Sequence, residues 1–183
     1  MTLESIITRS SRSLLLLSAT LAVALLAGGG VALAHAPIYL GSDHTSPDSA
    51  APLGDPASAG LIYGALAAGG AQYLSFSVSG GQPFHALVLR PLRADSFNPA
   101  LALVGPGLSD AGGAPFAVPD GAGVRYLPPP DQSLPIFIAD LGLRFLAGAG
   151  YDGPLPQDGD YCLVVCSADG NAGDYTVGTG YGL

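Results

Sequence analysis

Three histidines, two cysteines and a late run of aspartates are the residues of this chain whose types could do chemistry. If cleavage follows Ala34, the freed α-amino group and the imidazole of His35 could chelate copper, with His44 or His85 as a third nitrogen. Asp152, Asp158, Asp160, Asp169 and Asp174 lie in or beside the last loops, where oxygen ligands at about 2.3–2.6 Å would suit calcium. Asp169-Gly170-Asn171 and Asp158-Gly159 are more simply β-turns needing a positive φ, and no EF-hand spacing is present. His35, His44, His85, Asp169 and Asp174 are therefore the candidate metal ligands, and the expectation is a chain with no cofactor, calcium and copper being the metals to test.

Catalytic constellations are harder to draw. G-x-S-x-G, H-E-x-x-H and the P-loop are all missing. A triad sketched from Asp43, His44 and a serine has nothing to hold it rigid, and chance composition explains it. Gly148 to Gly153 matches G-x-G-x-x-G letter for letter, but Pro154 and Pro156 follow at once. No helix can open there to receive a pyrophosphate, so the run is expected to be a Gly-rich loop. Cys162 and Cys166 stand four positions apart on one expected strand. At about 3.3 Å per residue their Cα atoms are about 13 Å apart, too far for a disulfide with each other. Two small buried hydrophobes are expected, with an intermolecular bridge open to either sulfur that is exposed.

Composition sets the outer limits. The 183 residues carry 27 Gly, 16 Pro and a net charge of −8. Such a chain has many turns and room for one ordinary domain. Its acidity repels phosphate backbones, which argues against nucleic-acid binding. Arg9 and Arg12, an apolar block over 14–27 and Gly28-Gly29-Gly30 form an export signal over 1–34, with A-x-A sites ending at Ala34 and Ala36. Cleavage after Ala34 is preferred, because a cut after Ala36 would put Pro37 just past the scissile bond. The alternative is an uncleaved membrane anchor. Without Arg9, Arg12 and Glu4 the exported part keeps four Arg against thirteen Asp, a charge of −9.

The elements that must position these residues are short and β-rich. Residues 35–60, rich in Pro, Ser, Ala, Gly and Asp, are expected to be an extended linker or an arm laid on the domain surface. Residues 61–183 are the domain. Strands are expected over 61–66, 72–79, 83–90, 100–104, 124–127, 134–139, 159–166 and 174–178. Leu74, Phe76 and Val78 alternate with polar residues, so one face is apolar. The 72–79 and 83–90 strands are expected to pair as a hairpin across a three-residue loop, Gly80 to Gln82. That register turns Phe84, Ala86 and Val88 inward and leaves Leu87 and Leu89 facing something else. A second hairpin is expected through Asp169-Gly170-Asn171. Gly159-Asp160-Tyr161 resembles a tyrosine corner, in which the phenol pins the preceding turn. Asp140 to Leu146 reads equally as a one-turn helix or a continued strand, and 108–156 as a whole stays open.

The sum is an all-β protein, an antiparallel β-sandwich of jelly-roll-like form. IYGAL at 62–66, QYLSFSV with its Gly-Gln loop at 81–82, FNPALALVGPG at 97–107, and GDYCLVV with a closing GDYTV resemble the bacterial pre-peptidase C-terminal domain. The resemblance implies a sandwich with an accessory role, binding surface or insoluble substrates or aiding secretion, sometimes with calcium. Here it would be a stand-alone copy, with no peptidase domain ahead of it. The expected function is thus an exported, non-enzymatic module of the cell surface, periplasm or medium, with a surface or a protein as its partner. The alternatives are an envelope metal-binding protein using His35 and, further off, a hydrolase.

Overall fold

A computed structural model describes residues 37–93, 97–109 and 114–181. The export signal, its cleavage sites and His35 lie outside the described residues. Among the described residues eleven strands follow in order: β1 (Ile38–Tyr39), β2 (Ala51–Pro52), β3 (Gly60–Leu66), β4 (Ala71–Val78), β5 (Pro83–Pro91), β6 (Pro99–Gly105), β7 (Gly123–Leu127), β8 (Pro135–Ile138), β9 (Leu143–Pro154), β10 (Gly159–Ser167) and β11 (Gly173–Thr179). They form two sheets, ordered β1-β3-β11-β5-β9-β8 and β2-β4-β10-β6-β7. Every pairing is antiparallel except those of the two-residue edge strands, β1 on β3 and β2 on β4, which are parallel. With these edges and β8 set aside, eight strands are shared four and four between the sheets, and only β6–β7 joins consecutive strands of one sheet. That is a jelly-roll order.

The core lies between the sheets. Leu74, Phe76 and Val78 of β4 meet Tyr161, Leu163 and Val165 of β10 in one cluster, as their alternation predicts. The register sets Tyr161 opposite Phe76 and Leu163 opposite Leu74. Phe76 also stacks on Phe84 of the other sheet, with ring centroids 4.7 Å apart. At one end of the core Gln72 is buried but satisfied. Its amide donates to the Gly41 carbonyl at 2.7 Å and its oxygen accepts the Tyr175 hydroxyl at 2.8 Å.

Both expected hairpins are corrected. β4 and β5 lie in different sheets, and so do β10 and β11. The Gly80–Gln82 loop still makes a tight reversal, with Gln82 N–H donating to Ser79 O at 3.1 Å. It carries the chain from one sheet to the other. Phe84, Ala86 and Val88 do face the core. Alternation dictates which face is buried; it does not name the strand alongside, and two facing sheets satisfy it as well as one ladder does. Leu87 and Leu89, on the far side of β5, are covered by Ile138, Leu141 and Phe145.

Two further expectations change. Of the two readings of residues 35–60 the arm holds over the described part and the linker does not, and the arm is more than a surface layer: β1 and β2 extend one sheet each, and Ala51 and Leu53 enter the core. Few large apolar residues are needed to hold an arm that bonds to sheet edges through its backbone. The Gly148–Gly153 run is not a loop either, but the middle of β9. A side chain at Gly148 would overlap Val88, so glycine lets two backbones approach across a bulge in the β5–β9 ladder. Between β8 and β9 the chain makes a 3-10 turn over Ala139–Leu141, ended by Gly142 at a positive φ.

Candidate functional site

The alternation that buries Phe76 and Tyr161 sends their neighbours outward. Ser75 and Ser77 of β4 lie beside Cys162 and Asp160 of β10, paired directly in the ladder. Most of this outer sheet face is covered. Phe116 and Val118 pack over Tyr73, Ala102, Val104 and Val164, and the Tyr73 hydroxyl donates to Ala117 O at 3.0 Å. The cover reaches the edge of Cys162 and stops short of Ser75, Ser77 and Asp160. What remains is an open groove of about 870 Å³ with these four residues in its floor, Pro47, Asp48, Pro52 and Gly54 on one side and Pro119 to Ala122 on the other.

The floor is anchored from beneath by Tyr161. Its ring is buried, and Gly105 lies so close beside it that a methyl group there would overlap the ring. Its hydroxyl is 2.7 Å from the Pro106 carbonyl and 3.0 Å from the Gln157 carbonyl, donating to one or shared between them. Gln157 N–H donates back at 3.4 Å. This is the tyrosine corner read from the sequence, extended to a second turn at Pro106 on the groove's rim.

The groove's electrostatics are one-sided. Among the described residues Asp48, Asp120 and Asp160 line it, with no Arg, Lys or His in the lining. Among the described residues none of the three has an ion-pair partner. Ser77 donates its hydroxyl to Asp160 at 2.5 Å. Burial, helped by the Asp160 charge, raises the Cys162 thiol above its ordinary pKa. Cys166, fully buried on the same strand, is pushed up to about 11 by desolvation against a lowering hydrogen bond with Tyr126. Both sulfurs are free. Its described lining thus combines carboxylate, hydroxyl and thiol groups in an open recess.

The candidate ligands read from the sequence are scattered. His44 donates Nδ1–H to Ser49 O at 2.8 Å and stays 3.7 Å from Asp43, in the arm crossing the β4 side. His85 is on the other sheet, 3.8 Å from Asp152 across the β5–β9 ladder and against the Tyr181 ring. Tyr181 donates its hydroxyl to Asp152 at 3.0 Å, and that bond raises its pKa. Asp169 is a turn residue. Burial opposes its charge, but the N–H groups of Asn171 (2.9 Å) and Asn98 (2.8 Å) outweigh this and hold its pKa below the usual range. Asp174 faces a smaller cleft beside Tyr39 and Tyr63. Among the described residues no three His, Cys, Asp or Glu side chains are placed to hold a metal ion.

The groove was not foreseen in the sequence. Its floor could have been found, because Ser75, Ser77, Asp160 and Cys162 are the small or polar outward positions of two strands. Its walls come from residues 47–54 and 119–122, whose meeting depends on the strand order. No protein-family model matches this chain. No curated protein matches it either. Among solved structures it is similar to PliG of Salmonella Typhimurium, a periplasmic lysozyme inhibitor of g-type lysozyme, at 15% identity and a TM-score of 0.41, over 79% of this chain and 96% of that one. PliG of Aeromonas hydrophila, also a periplasmic inhibitor of g-type lysozyme, is similar at 14% identity and a TM-score of 0.42, over 79% and 98%. At such low scores the likeness leaves function to be argued from this chain's own geometry.

Proposed function

We propose that this chain is an exported, non-enzymatic β-sandwich module that binds a protein partner in the groove over Ser75, Ser77, Asp160 and Cys162. The observation that carries the proposal is the interrupted cover: one outer sheet face is sealed by residues 114–118, yet left open where two segments wall it. An open recess with convergent polar groups is the ordinary form of a binding site. Export is supported by the Arg9 and Arg12 region, the apolar block and the A-x-A sites. The jelly-roll order is compatible with the pre-peptidase C-terminal resemblance, which stays part of this proposal.

Replacing Ser75 by Trp tests it, because the side chain would fill the floor without entering the core. Protein recovered from the envelope or medium should begin at His35 and should retain a specific partner that the S75W form loses. A bulky residue on the opposite sheet, at Thr176, is unsuitable as a control because that side chain is buried. Tyr39→Trp, on an exposed position, serves instead. Equal retention by the wild-type and S75W forms would place the binding surface elsewhere.

A further inference from the structure

The groove offers acceptors and almost no free side-chain donors, and that identifies its occupant. The Ser77 hydroxyl proton is engaged on Asp160 at 2.5 Å, and the Ser75 hydroxyl is directed to Ala51 O in a long, weak contact of 3.5 Å. Their oxygens still have lone pairs. Four lining residues, Pro47, Pro52, Pro106 and Pro119, have no N–H to give. The three carboxylates stand on three sides, Asp48 on one wall, Asp120 on the other and Asp160 in the floor, and no cationic side chain is among the described lining residues. A recess of one charge sign focuses its field toward the opening.

We infer, resting on the binding role proposed above, that the groove takes a basic segment of the partner protein, inserting Lys or Arg side chains. These have only donors and a positive charge, the complement of this lining. Their aliphatic stems suit the rigid proline rims, while the charged heads reach the carboxylates. An acidic or phosphorylated segment would meet repulsion on every side. The carboxylates are exposed, so their contribution is screened, salt-sensitive and felt strongly in the association rate.

The test uses the exported protein as recovered from cells, with a fluorescein-labelled Lys/Arg-Gly peptide and the same peptide with acetyl-lysine and citrulline in place of its charges. The basic peptide should bind, more weakly as salt rises, and the neutral one should not. The D48N/D120N/D160N form should bind it about tenfold more weakly, since three exposed ion pairs each contribute a few-fold. A control with the same net charge, D43N/D131N/D174N, should change affinity by less than about twofold, because those carboxylates lie outside the groove. Equal loss in both triple variants would overturn the inference, since diffuse charge would then suffice. So would equal binding of the two peptides. D120N alone, in an exposed turn, gives a version free of any effect on the sheet. S75W separates the two proposals: if it abolishes partner binding while the Asn triple does not, the groove binds but its charge is not the reason. If S75W leaves binding intact, the groove itself is the wrong site.

Discussion

Tyr161→Phe removes one oxygen atom and tests whether the groove's floor is held from below. The ring would stay where it is, between Phe76 at 5.9 Å and Gly105. What goes is a donor to the Pro106 or Gln157 carbonyl and an acceptor for Gln157 N–H. Two net hydrogen bonds contribute about 1–3 kcal/mol. Pro106 is half-buried and Gln157 exposed, so water can partly replace the lost partner, and the lower part of that range, about 1–2 kcal/mol, is expected. With a urea m-value near 2 kcal/mol/M the midpoint should fall by about 0.5–1 M, with m unchanged. Tyr151→Phe is the comparison, since it removes an exposed bond to Pro154 O at 2.8 Å and should cost no more than about 0.5 kcal/mol. Equal midpoints for the two variants, or a Tyr161→Phe protein as stable as wild type, would refute the corner as a structural clamp. A fall of 3 kcal/mol or more would mean that the ring had moved as well, the range of a truncated core aromatic.

Phe76→Ala should cost about 3–5 kcal/mol in the same titration, whereas Ser77→Ala, losing one exposed bond to Asp160, should cost about 1 kcal/mol or less. Thiol labelling of the native protein should modify Cys162 and spare Cys166 until denaturant exposes it, and mass mapping would identify the site. Alkaline stability should fall as pH rises from about 9 toward about 11, because the unfolded chain ionises Cys166 where the folded chain keeps its proton; Cys166→Ala should flatten that decline. Asp169 works in the opposite sense. Its pKa is lowered by folding, so its contribution is present above the ordinary Asp value of about 3.9 and lost as pH falls below it. Asp169→Asn should therefore lessen the acid-limb slope of a stability–pH curve.

How much was legible follows from what alternation encodes. Period two in QYLSFSV and GDYCLVV identified the buried and outward faces of β4 and β10, and every core residue named on those strands lies between the sheets. The tyrosine corner was legible too, because its geometry is local. Strand partnership was not. Phe76 is apolar whether its strand pairs with the next one or faces it across the core, and the stacking on Phe84 satisfies either arrangement. That the arm adds a strand to each sheet escaped for a related reason: β1 and β2 are two residues each and join the sheets by backbone bonds that leave no mark on side-chain choice. Glycines in β9 misled because sequence shows their freedom but not the Val88 side chain that requires it.

The same strand order that hid the hairpins produces the groove. Because β4 and β10 are sequence neighbours of strands in the opposite sheet, each hands its chain across an end of the sandwich, and neither is followed by a segment folded back over its own outer face. Cover for that face must come from elsewhere. The long β6–β7 connection supplies it over Tyr73 and Val164, anchored at Ala117. The arm before β3 supplies a second margin, fixed by β2 on β4 and by the His44 carbonyl accepting Tyr73 N–H at 2.9 Å. Between two covers of independent origin a strip of sheet is left, and it is the strip whose outward residues are serine, aspartate and cysteine rather than valine or tyrosine. An apolar strip left uncovered would be an aggregation hazard; a polar one tolerates water until a partner displaces it. The polar side chains at Ser75, Ser77 and Asp160 therefore go with an opening that is kept, not with a cover that was lost.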